Sequence, residues 1–133
     1  MSDALRAHHI EATYVHLADG GAARTLEVTP SFWPDLVSGK LGQLEEGRLL
    51  SYGEFADDWD SWEKHPDGEE LVLLMSGRAT LVLELPDGSK KLELAAPGAF
   101  VLVPRNTWHT AKTQAPCTLL FITPGKGTQH RPL

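Results

Sequence analysis

The chain has 133 residues and a formal net charge of −6, a length that suits one domain burying roughly two-thirds of its unfolded surface. That acidity argues against a nucleic-acid partner, which needs a basic patch to neutralise phosphates; the only adjacent basic pair, Lys90-Lys91, lies in a turn. A single cysteine, Cys117, excludes an internal disulfide and suits a reducing compartment.

In chain order, the N-terminal stretch MSDALRAHHIEATYVHLADGG lacks the apolar core of a secretory signal. The apolar run Leu71–Met75 is far too short to cross a bilayer. The expectation is a cytoplasmic protein with no membrane partner. Thr13-Tyr14-Val15-His16-Leu17 reads as a strand able to exchange or add at a sheet edge, which would support a homodimer. His8, His9 and His16 are expected at the surface, and His130 in a C-terminal tail. Thr29 to Leu36 reads as a short helix, with Ser31 as its cap and Pro34 limiting its length. Arg48 to Phe55 reads as a strand leading into the acidic run Asp57, Asp58 and Asp60, a wet loop or, alternatively, part of the barrel mouth.

Beyond this point strand signals dominate. Leu71–Met75, Ala79–Leu85, Lys91–Leu94, Phe100–Val103 and Cys117–Thr123 are short and rich in apolar and β-branched residues. Turn chemistry separates them at Pro66-Asp67-Gly68, Ser76-Gly77, Pro86-Asp87-Gly88, Ala96-Pro97-Gly98 and Pro104-Arg105-Asn106. Turns about ten residues apart suggest a sandwich or barrel of antiparallel strands. Leu92 and Leu94 alternate with Lys91 and Glu93, so that strand is covered on one face. Leu71–Met75 is apolar on both faces, which predicts an interior strand between two layers.

The segment WEKHPDGEELVLLMSG, Trp62 to Gly77, places ionisable groups beside a strand that must be buried. Residues two apart on a strand share a face, so Glu63 and His65 point together, and Glu70 can aim into the same space after the turn. These are oxygen and nitrogen donors that suit iron, manganese, nickel or zinc. A second segment runs from Pro97-Gly98 through Phe100–Val103 and Pro104-Arg105-Asn106 to His109, a histidine whose direction the tight turn fixes. Glu63 is open to three roles: a ligand, a residue orienting a ligand, or an ion-pair partner of Lys64 or Arg105. Glu69 should face solvent. Trp59, Trp62 and Trp108 serve either in packing or as the wall of an apolar pocket, and Cys117 as a small buried residue.

These residues resemble the cupins, small jelly-roll barrels with two sequence motifs bracketing a hairpin. His65, Glu70 and Gly77 fall in register with the second half of the first motif, and Gly98, Pro104 and His109 with the second. The resemblance covers roughly residues 48 to 123. It implies an all-β, single-domain double-stranded β-helix with an N-terminal extension (1–47), a barrel core (48–124) and a C-terminal tail (125–133). The chain departs from the pattern at Glu63, which stands where the family has a histidine, at Asn106, which replaces a glycine, and at Thr113, which replaces an asparagine. The resemblance therefore implies one divalent transition metal held by Glu63, His65, Glu70 and His109. With Glu63 outside the set, two histidines and one glutamate still make a facial set with open positions. Strand alternation adds Tyr52, Val72, Leu74, Thr107 and Ala111 as the pocket for a small-molecule ligand. The implied activity is that of a metal-dependent oxygenase. The alternatives are a non-catalytic metabolite-binding module, a sugar-isomerase-like cupin, and a degenerate cupin without metal.

Overall fold

Strand-forming residues and glycine turns alternate along most of the chain, and the computed structural model describes residues 5–113 and 115–133 accordingly. Residues 1–4 of the expected N-terminal extension lie outside the described part. Its strands are β1 (Thr13–Leu17), β2 (Ala23–Glu27), β3 (Arg48–Phe55), β4 (Ser61–Lys64), β5 (Glu70–Ser76), β6 (Ala79–Leu85), β7 (Gly88–Leu94), β8 (Phe100–Val103), β9 (His109–Lys112), β10 (Cys117–Pro124) and β11 (Gln129–Pro132). One short helix, α1 (Phe32–Val37), follows β2.

The strands form two antiparallel sheets, ordered β2-β1-β3-β10-β5-β8 and β11-β4-β9-β6-β7. This is the jelly-roll barrel expected from the sequence. Between the sheets the core closes on Val72, Leu74, Leu81, Leu83, Val103 and Leu119, each at most 3% exposed. The hairpin of β6 and β7 pairs Leu85 with Gly88 across a two-residue Pro86-Asp87 loop, with Gly88 at φ +126.

Three expectations are corrected. The strand β1 does not offer a free edge: it lies between β2 and β3 in the same sheet, and His16 is 2% exposed, with Nε2 2.7 Å from the Glu46 carbonyl. Ser31 precedes α1 but does not cap it through its side chain; its hydroxyl meets that of Thr29 instead. The strand β5 is interior within its sheet, yet among the described residues no second layer covers its outer face. Met75 is 40% exposed, and Phe100 and Leu102 on neighbouring β8 are each 55% exposed.

Candidate metal centre and its cavity

Two turns bring the motif segments together. Asn106 adopts φ +60, the left-handed angle that asparagine tolerates, and its N–H donates to the His65 carbonyl at 3.0 Å. One residue beyond the 104–106 turn, the Thr107 carbonyl accepts a hydrogen bond from His109 Nδ1 at 3.0 Å. On the other side β4 pairs Glu63 directly with His109 of β9. Four side chains thus converge from β4, its exit, β5 and β9.

Their spacing has the dimensions of a coordination sphere. His109 Nε2 lies 3.0 Å and His65 Nε2 3.4 Å from Glu70 Oε1, and His65 Nε2 lies 3.7 Å from Glu63 Oε1. Donors each ~2.1 Å from one ion stand ~3.0 Å apart at right angles and ~3.4 Å apart at the tetrahedral angle. Donor atoms of Glu63, His65 and His109 all lie within 4.8 Å of one another, and Glu70 joins them through both histidines. These close approaches are not aligned hydrogen bonds: His65 Nε2, Glu70 Oε1 and His109 Nε2 are buried without a hydrogen-bond partner. Buried polar atoms without partners are rare and costly, and three aimed at one point fit a cation. The residues present therefore suit a divalent metal.

The outer atoms of the same side chains are all held. His65 Nδ1 donates to Thr128 Oγ1 at 2.9 Å, because that hydroxyl itself donates to the Gly125 carbonyl at 3.2 Å. Thr123 Oγ1 donates to Glu70 Oε2 at 2.6 Å. Both imidazoles are thereby fixed with Nε2, and not Nδ1, turned toward the centre, the orientation that a ligand histidine needs. Replacing Thr128 with valine is expected to weaken divalent-metal affinity about tenfold with little change in fold; calorimetric titration of the folded variant checks this.

Burial alone would raise the Glu70 carboxyl, but the imidazoles of His109 and His65 hold it down at about 2. Burial works against protonation of His109, and the Glu70 carboxylate overcomes it and raises the imidazole above its usual value. For Glu63, burial and then the Glu70 charge push the carboxyl up. A raised histidine stabilises the fold below its unfolded pKa of ~6.5, and that contribution is lost as pH rises through the folded value. Metal-free protein should therefore melt at lower temperature at pH ~8.5 than at pH ~6, while stabilisation by added metal should grow over the same range, since metal must displace the His109 proton. Melting curves with and without metal at both pH values test the opposed signs.

The centre opens into a cavity of about 1040 Å³ that includes Glu63, His65 and Glu70 in its wall. Phe55, Trp59 and Phe121 line it and stack at centroid separations of 5.7–6.2 Å, with Trp59 6.2 Å from His109. Of the pocket residues read from the sequence, Val72, Leu74 and Ala111 sit in the packed core and do not line the cavity. Alternation points them inward, as expected, but the barrel is filled at that depth. Thr107 is likewise absent from the wall and serves through its carbonyl. Tyr52 borders the cavity, yet it pairs with Leu120 on the outer face and its hydroxyl donates to Glu11. The acidic loop residues Asp57, Asp58 and Asp60 are exposed and line the same cavity. A depression of about 1070 Å³ near Glu46, Arg48 and Arg105 includes none of the four donors.

Sequence reasoning missed Thr123, Thr128 and His130. The segment read as a tail contains β11, which pairs His130 with Glu63; His130 Nε2 lies 3.9 Å from Glu63 Oε2. Glu63 accordingly has histidine neighbours instead of Lys64 or Arg105, and Lys64 stacks over Trp108 at 4.7 Å.

No family model matches the sequence, and no curated protein matches it. Among solved structures, Bacillus subtilis oxalate decarboxylase, a protein with Mn(II) centres, overlays at TM-score 0.56 with 16% identity, covering 71% of this chain and 26% of its own. An oxalate oxidase overlays at 0.53 with 14% identity, covering 61% of this chain and 44% of its own. A cupin superfamily protein from Desulfitobacterium hafniense DCB-2 is 25% identical over 57% of this chain and 65% of its own, at TM-score 0.48. The chain thus spans less than two-thirds of each of these three. Among the described residues, no helix is long and apolar enough to cross a membrane.

Proposed function

We propose that this chain, a cupin by fold, holds one divalent transition metal through Glu63, His65, Glu70 and His109, and acts on a small organic molecule in the adjoining cavity. The observation that carries the reading is the gathering of three buried atoms without an aligned hydrogen bond, with Nε2 of both His109 and His65 within 3.0–3.4 Å of Glu70 Oε1. Iron, manganese, nickel and zinc all suit two imidazoles with one or two carboxylates. Such an ion supplies Lewis acidity, and iron or manganese also supplies redox chemistry, so an oxygenase is the activity proposed. The chain's own residues do the rest. Thr128 and the Thr107 carbonyl hold the imidazoles in the ligating tautomer, Thr123 fixes Glu70, and the Trp59 ring shields His109 on the cavity side. With Glu63 30% exposed against 3% for Glu70, Glu63 is the donor best placed to give way to a ligand.

Oxygen-uptake screening of Fe(II)- and Mn(II)-loaded protein on diketones, thiols and flavonols tests the oxygenase. Turnover with any of these supports it; saturable binding without turnover across the panel replaces it with a binding module. We also propose a homodimer through the apolar outer face formed by Met75, Phe100 and Leu102. Light scattering that finds a monomer at micromolar concentration counts against that assembly.

A further inference from the structure

We infer that the cavity selects a small organic cation, an amine or guanidine on an apolar body, over a carboxylate of the same size. The inference deepens the proposed function and rests on its reading of the cavity as the ligand site. The inner wall is aromatic, with Phe55, Trp59 and Phe121 in mutual contact. The rim is acidic: Asp57, Asp58 and Asp60, on the loop between β3 and β4, line the cavity together with Glu45. Among the described residues that line it, there is no lysine or arginine.

A divalent ion held at the centre would be balanced by the carboxylates of Glu63 and Glu70. The field an entering ligand meets is then set by the rim, and the rim is negative. An ammonium gains from that field and from the faces of the wall aromatics. A carboxylate meets repulsion in a partly desolvated space, where charges act at lower effective dielectric than in water. Oxalate is a dianion, so a fold shared with oxalate enzymes does not bring their ligand with it.

Three probes of one shape separate the charges: phenethylamine, 2-phenylethanol and 3-phenylpropanoate, titrated into the full-length chain while Trp fluorescence is followed. A preceding Mn(II) titration reports the metal site by itself. The amine is expected to bind about tenfold or more tighter than the carboxylate, with the alcohol between them and the gap narrowing at high salt. In the double variant Asp57→Asn, Asp60→Asn, the gap should shrink severalfold while one Mn(II) per chain is still bound. Equal or tighter carboxylate binding, a gap the double variant leaves unchanged, or no binding of any probe overturns the inference. Absence of Mn(II) binding instead sinks the metal reading, and the charge preference is then measured on metal-free protein and stands or falls separately.

Discussion

Replacing His109 with alanine is expected to abolish retention of a divalent metal and to cost the metal-free protein about 3–5 kcal/mol. Two observations set that size. His109 is completely buried and lies 3.0 Å from Glu70 Oε1, and Glu70 is itself only 3% exposed. Removing the imidazole leaves a buried carboxylate with one neighbouring imidazole instead of two. Chemical denaturation of the metal-free variant measures the loss, and equilibrium dialysis against Mn(II) or Zn(II) measures retention. A second substitution separates charge from packing. Adding Glu70→Gln removes the stranded charge, so the double variant should be more stable than His109→Ala alone, yet it should still hold no metal. A single variant as stable as the parent would show that the two groups do not interact as described.

Gly77→Ala is expected to destabilise the fold by about 3 kcal/mol or more, lowering the melting temperature by about 10 °C. Gly77 sits at φ +79, and a Cβ there would fall 2.2 Å from the Pro116 carbonyl oxygen and 2.8 Å from Cys117 Cα. Both obstacles are backbone, at the first residue of β10 and the residue just before it, so no side chain can move aside. The left-handed angle adds its own penalty. Gly88→Ala is the control: its φ is +126, but nothing lies within 4 Å of the added carbon. It should cost clearly less, and comparable losses at both positions would mean that conformation alone, and not close approach, decides.

The same glycine illustrates what was legible in the sequence. Gly77, Gly98, Pro104 and Asn106 are punctuation whose backbone demands follow from residue type, and each falls where a strand or turn ends. The hairpin of β6 and β7 was readable from Pro86-Asp87-Gly88, and the candidate donors from alternation and spacing. By contrast, β4, β9 and β11 are each four residues long, too short for a periodic signal. Gln129-His130-Arg131-Pro132 carries almost no strand propensity; it is held by pairing with β4 and by Arg131 stacked over Trp108 at 4.6 Å and Trp62 at 5.2 Å. Thr128 and His130 were therefore invisible as parts of the site, because only tertiary pairing brings them there. The cavity wall was misplaced for a related reason. Period two tells which way Val72 and Leu74 point, but not at what depth side chains from the opposite sheet fill the barrel. Tyr52 does border the cavity, but period two could not say that its hydroxyl reaches Glu11.

The central claim is that Glu63, His65, Glu70 and His109 surround one ion. Anomalous diffraction from a crystal of the wild-type protein grown with Mn(II) or Zn(II) tests it directly. The account predicts a single peak at ~2.0–2.3 Å from both Nε2 atoms and from a Glu70 oxygen. A metal-loaded crystal with no peak there, or with the ion bound elsewhere, would contradict it.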